Sequence, residues 1–170
     1  MNKQELFRRY EEGERDFTGV NLRDADLREA KLPHINLRKA DLTAAKLDSA
    51  DLGEADLTWS ILSGANLREA NLRNADLIGA SLQGALLNKS DLSAARLIGA
   101  NLRSAILNGA NLSKAGLRGA NLIEASLHDA NLLDADLSRA NLSRAKITPR
   151  QLAMARSLDG ATLPDGRRYE

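Results

Sequence analysis

The sequence predicts an all-β solenoid, a chain wound into stacked coils around a core of leucine and alanine. Three regularities carry that reading. Every fifth residue from Leu22 to Leu142 is leucine, 25 in strict register, and Phe17 and Ile147 extend the series to 27 central positions. Two residues before each lies a second column, alanine at 22 places with Val20, Ile35, Ser60 and Ser90 as small or apolar substitutes, broken only by Arg15. Between the columns stands Asp or Asn in 17 of the 27 units, and the residue after the leucine is Ser, Thr or Arg in 16, so the unit reads A-[DN]-L-[STR]-x.

A period of five fits neither a helix nor a flat strand. At about 100° per residue the step turns about 140°, so the leucines would wander round a helix and make no stripe. In a flat strand an odd step flips faces and would send Leu22 and Leu27 to opposite sides. Within one unit, however, the alanine and leucine are two apart, the strand period, so both can point inward while Asp or Asn points out. The chain must then turn a corner before repeating, and turns of one hand wind it into coils that hydrogen-bond to their neighbours. Such a bore is narrow, in keeping with an aromatic content of 3%.

Units per coil are read from the exceptions. Gly79, Gly99 and Gly119 are twenty apart, as are Ile78 and Ile98, and Leu86 and Ile106, which indicates four units per coil and a square cross-section. With Ala-Asn-Leu-Arg-Glu at 65 to 69 and Ala-Asp-Leu-Ser-Arg at 135 to 139, the chain resembles the pentapeptide-repeat proteins over about three quarters of its length. The resemblance implies a right-handed quadrilateral β-helix. Nearly seven coils at roughly 4.8 Å each would make a rod about 32 Å long.

Three segments follow: an N-terminal helical cap at 1–15, the repeat at 16–148, and a C-terminal helix with capping turns at 149–170. In the first, Asn2 stands at a helix cap, Glu5 at the capping-box position, and Leu6, Phe7 and Tyr10 on one face, a cover for the open end of the solenoid. In the last, Thr148, Pro149 and Gln151 form a helix start, with the helix expected from about Pro149 to Arg156 and Leu152 and Ala155 turned inward. Leu158 and Leu163 then resume the five-residue spacing in shifted phase, with Ala161 two before Leu163. Pro164 to Gly166 reads as a turn and Arg167 to Glu170 as an exposed tail.

Composition narrows the function classes. The 170 residues carry 24 basic and 23 acidic side chains, a formal charge of +1, and no cysteine, so thiolate metal sites and disulfides are excluded. No apolar run approaches a membrane span, and Met1 to Arg15 lacks the apolar segment of a secretory signal, so the expectation is a soluble cytoplasmic protein. His34 and His128 lie on outward positions more than four coils apart. Asp56 and Asp76 should stack, yet their column continues as Arg96, which describes a solvated ladder and not a tuned acid/base pair. Outward columns diverge, so no metal or cofactor site is expected. Ser60 and Ser90 face the core, beyond reach as nucleophiles. No enzyme is predicted.

The resemblance also implies functions. The best-understood members of that family bind DNA gyrase or topoisomerase by presenting an acidic rod that resembles duplex DNA, and members with plain rods are frequent in photosynthetic bacteria, where a few are linked to regulation of cell differentiation. Sorting outward charges onto four faces gives five basic and four acidic residues on the face of Phe17, Leu37 and Leu57, then three and three, five and five, and three and four. No face is an acidic stripe, and no projecting loop interrupts the repeat between Phe17 and Ile147, so the DNA-mimic alternative is disfavoured. Direct nucleic-acid binding fails on the same count, since it needs clustered Lys and Arg. The expected function is a protein-binding scaffold, monomeric with a dimer as alternative. Its candidate contact is the apolar exception to the polar surface: Ile78 and Ile98 stacked on one face, Trp59 at the adjacent corner of the preceding coil and Ile61 just past it. Leu86 and Ile106 form a smaller pair two faces away.

Overall fold

The computed structural model describes all 170 residues. Parallel bridges join each unit to the one twenty residues later, in an unbroken series from Asp16 with Asn36 to Ser126 with Lys146. Four units therefore close one coil, and the molecule is a four-sided β-helix.

Five backbone amides per unit set its geometry. The leucine N–H donates to the next coil, as Leu82 does to Asn101 O at 2.7 Å. The residue before it donates to the previous coil, Ser81 to Ser60 O at 2.9 Å. The residue two after the leucine also donates forward, Gly84 to Arg103 O at 2.9 Å, and the following alanine closes a four-residue turn, Ala85 to Leu82 O at 3.0 Å. One amide is left over, that of the residue directly after the leucine. All 17 Asp and Asn residues of the middle column accept this amide on their Oδ1 oxygen, from Thr18 on Asp16 to Ser143 on Asn141. The Asp or Asn of the motif is thus a turn former before it is a surface residue, and either type serves because both carry the acceptor.

The corner requires a left-handed residue. Each residue two after the leucine, from Gly19 to Arg144, has positive φ, as the third position of a type II turn demands. Nineteen of these positions in the rod are not glycine, so the continuous ladder holds many residues in a conformation their side chains disfavour. Inside, Leu and Ala pack into a single core of 49 buried residues. Ser60 and Ser90 in the alanine column donate their hydroxyls to Leu57 O and Leu87 O at 2.7 and 2.8 Å, which satisfies them in the dry interior.

Helix α1, Lys3–Glu11, lies over the first coil with Leu6 fully buried and Phe7 and Tyr10 packed on the core. Asn2 Oδ1 caps it by accepting the Glu5 amide at 2.9 Å. Glu5 does not complete a capping box; its carboxylate lies 3.6 Å from Arg9. Tyr10 donates to Pro33 O at 2.7 Å, and the Arg15 guanidinium stacks 3.8 Å from the Tyr10 ring. The one charge in the alanine column is therefore turned out of the bore at its mouth.

The C-terminal end departs from expectation in two places. Helix α2 is Pro149–Leu152, one turn, and does not continue to Arg156. By Arg156 the chain has rejoined the ladder, its amide on Ala135 O at 2.8 Å, and Ser157 pairs with Asp136 at an offset of 21 instead of 20. In a regular coil the alanine carbonyl takes the amide 21 residues on, as Ala110 O takes that of Asn131. For Ala130 that residue is Gln151, whose amide is held by the Thr148 hydroxyl oxygen, so the Gln151 side chain substitutes, Nε2 donating to Ala130 O at 3.0 Å and Leu127 O at 2.6 Å. Nor is the end an exposed tail. Tyr169 donates to Ala161 O and Gly160 to Tyr169 O, and Arg168 pairs antiparallel with Thr162, covering an edge of the last coil.

Two substitutions test this construction. Leu82 is fully buried, so Leu82→Ala should cost about 2 to 5 kcal/mol in denaturant unfolding and Leu82→Lys should leave the chain unfolded, whereas Arg103→Ala at the surface should change stability by less than about 0.5 kcal/mol. Asn121 makes only the turn bond, to the Ile123 amide at 3.1 Å. Asn121→Leu should lose about 1 kcal/mol while Asn121→Asp retains full stability; equal losses would show that the acceptor is not what the position requires.

Candidate functional site

The face that carries Leu57, Leu77 and Leu97 holds the apolar exceptions. Trp59 occupies a corner position with φ of 59°, a backbone state that is an outlier for a bulky side chain. Its amide remains in the ladder, donating to Ile78 O at 3.0 Å. The indole lies across Gly79 of the next coil so closely that any Cβ there would collide with the ring. Trp59 is nonetheless 59% exposed. Glycine at 79 thus serves twice, by its φ of 66° and by leaving a seat for the indole, while Gly99 and Gly119 further along the same corner have open space above them.

Ile98 is 40% exposed and Ile61, past the Ser60 corner, 43% exposed, with Ile78 half-buried between coils. Register groups these four residues, while Gly79 enters the sequence reading as part of the twenty-residue recurrence; the Trp at a corner followed twenty residues later by Gly was the available signal for the seat. Leu86 and Ile106 are bridged on adjacent coils and half-buried, with far less surface than Trp59.

Other chemistry is dispersed. His34 lies 3.4 Å from Glu54, and the His128 amide donates to Asn108 Oδ1 at 3.1 Å. No three His, Asp or Glu side chains converge. Asp76 and Arg96 stack as expected, at 2.6 Å. Carboxylates are held below their ordinary range by the turns: at Asp41 chiefly by the Thr43 hydroxyl, with Arg23 adding, and at Asp136 chiefly by the Ser138 hydroxyl, with the Ser138 amide and Arg156 adding. No helix is long and apolar enough to cross a membrane.

A model of the pentapeptide repeat family matches in eight copies over residues 21–58, 50–88, 85–122 and 115–148. The chain belongs to the pentapeptide-repeat family. A pentapeptide repeat protein from the Arabidopsis thaliana thylakoid lumen is 29% identical, over 69% of this chain and 79% of that one, with a TM-score of 0.53. Trypsin-treated QnrB1, a plasmid-mediated fluoroquinolone resistance protein, is 22% identical over 87% of this chain and 79% of its own, with a TM-score of 0.61. HetL, a pentapeptide repeat protein involved in heterocyst differentiation regulation from the cyanobacterium Nostoc sp. strain PCC 7120, is 34% identical over 99% of this chain and 100% of its own, with a TM-score of 0.31. A comparison with curated proteins finds no match. Pentapeptide-repeat neighbours make the coil a right-handed quadrilateral β-helix, and the family is generally structural or binding rather than catalytic.

The turn carboxylates give this pentapeptide-repeat rod an acid limit. A carboxylate whose folded pKa is depressed adds stability above its unfolded value, about 3.9 for Asp, and loses it as pH falls through the folded value. Stability should therefore be flat with respect to these groups above about pH 5 and decline below about pH 4. Asp136→Asn should shallow that decline in acid urea titrations; an unchanged slope would mean the Ser138 and Arg156 contacts do not form.

Proposed function

We propose that this pentapeptide-repeat protein is a non-catalytic protein-binding rod that engages its partner through the face around Trp59, Ile61, Ile78 and Ile98. The observation that carries the reading is the Trp59 side chain, 59% exposed and yet seated over Gly79 from a strained backbone position. An exposed aromatic that is already ordered gives up little freedom on binding, and Trp is the residue type most enriched among interface hot spots. Eighteen other non-glycine corners share that backbone state, so it is the exposed and seated ring, not the strain, that sets Trp59 apart.

A DNA-mimic role in gyrase or topoisomerase binding fits less well. All four Asp residues on this face accept turn amides and three of them, Asp56, Asp76 and Asp136, pair with Arg38, Arg96 and Arg156, so they do not add up to a free negative field. The rod's use as a scaffold asks only for rigid flat faces, which the ladder supplies. Replacing Trp59 and Ile98 together with Ser should leave unfolding within about 1 kcal/mol of the parent while abolishing recovery of the partner from native lysate. Retention of the partner, or a loss of stability alone, would make the patch a stacking device between coils.

A further inference from the structure

Charge on the Trp59 face is balanced in number but not in place. Its central carboxylates lie in the column before the leucine and are occupied: Asp56 by Thr58 and Arg38, Asp76 by the Ile78 amide and Arg96. On the other side of the leucine, toward the corner, Lys39 and Arg118 are exposed and have no carboxylate within 4.0 Å. Past the corner, the first column of the neighbouring face reads Asp41, Ile61, Ser81, Asn101 and Asn121, and its one carboxylate, Asp41, on the coil of Lys39, is taken up by Thr43 and Arg23. From Trp59 to Arg118 the ridge between these two columns therefore carries no carboxylate, and an unpaired cation stands at each end.

Backbone donors add to this field. Where Arg96 and Gly116 replace Asp or Asn, the amides of Ile98 and Arg118 lose their turn acceptor and have no other partner in the protein. The amides after Leu47, Leu62, Leu82, Leu87 and Leu107 are also unpartnered, but they belong to Asp48, Ser63, Gln83, Asn88 and Asn108, whose side chains carry acceptors. Among the amides that directly follow a core leucine, only those of Ile98 and Arg118 join a free donor to a side chain that cannot accept, and they lie on adjacent coils of one face.

We propose, on the reading above that this face binds protein, that the ridge takes an acidic, apolar, extended segment of the partner. Its apolar side chains pack on Trp59 and Ile98. Its carboxylates meet Lys39 at one end and Arg118 with the two free amides at the other, as charge-assisted hydrogen bonds. The distance is suitable: Lys39 and Arg118 are four coil steps apart, about 19 Å at ~4.8 Å each, which an extended peptide of about six residues spans.

The test is selection of random twelve-residue peptides on the immobilised full-length protein, followed by measured affinities for the parent, Trp59→Ser, Ile98→Asp and Arg118→Glu. Each variant is first matched to the parent in unfolding. Enriched peptides should place Asp or Glu beside aromatic or aliphatic residues and bind about tenfold or more weakly to all three variants, with affinity falling as salt rises. Peptides that need Trp59 but show no acidic bias, or that ignore Arg118→Glu, would overturn the charge assignment and leave the protein-binding face standing. If no selected peptide depends on Trp59, both fall. Tighter binding of a duplex DNA probe than of any peptide, lost in Arg118→Glu, would also overturn the proposal.

Discussion

One amide in five has no place in the ladder of this solenoid, and the rest of its surface is arranged around that fact. Four of the five N–H groups in each unit of the central coils are fixed by coil stacking and by the corner turn. The fifth points outward beside the leucine, where a buried orphan donor would be costly and a side-chain acceptor two residues earlier removes the cost. Asp and Asn are short enough to reach it, which explains why the column tolerates both and why the neighbouring faces stay flat. Three exceptions to the column show the same rule, while seven others, among them Arg96 and Gly116, leave the amide without a partner in the protein. Lys31 offers no acceptor, and Pro33, two residues on, has no N–H to satisfy. Ser126 is followed by His128, whose amide turns to Asn108 of the coil below. At Lys146 the Thr148 amide goes to Gln151 Oε1 at 3.0 Å.

The core and its period were legible because they depend on side-chain volume alone. Leu82 and Ala80 can be assigned inward from spacing, and the twenty-residue recurrence of Gly79, Gly99 and Gly119 gave the coil its four sides, as the bridges show. What the middle column does was less legible. An outward Asp reads as solvation, and only the placement of the Thr43 amide 3.0 Å from Asp41 identifies a turn former. The ends were hardest. Helix propensity favoured continuing α2 to Arg156, but tertiary pairing of Ser157 with Asp136 ended it after one turn. The return of Arg168 onto Thr162 left no periodic trace, because three residues of backbone pairing require no particular side chains.

The candidate site divides in the same way. Exposure of Trp59, Ile61 and Ile98 follows from register, so it could be placed from the sequence. The seat of the indole on Gly79 could not, since it depends on a side-chain direction set by a left-handed corner. That corner also gives the patch its rigidity. The left-handed backbone at Trp59 and the contact of its ring with Gly79 are maintained by the same two coils. The unit that tolerates a left-handed Trp does so because its amide to Ile78 O and the Ser60 amide to Leu57 O remain in place.

A solenoid separates stability from recognition more completely than a globular domain does. Its inward columns are fixed by volume, its fifth amide by one acceptor and its corner by a positive φ, which leaves the side chains of the two residues after each leucine the least constrained by packing. Change there costs little, so charge and apolar surface can be written onto a face without repacking the core. The Trp59 ridge is where that freedom is used most heavily: an aromatic takes a glycine's corner, isoleucines take polar positions, and Arg96 and Gly116 give up the turn acceptor on neighbouring coils. Each departure alone is tolerable because the flanking coils retain their ladders. Placed together on one edge, they set exposed apolar side chains, unpaired cations and open backbone donors side by side, all held at the fixed spacing of the coils.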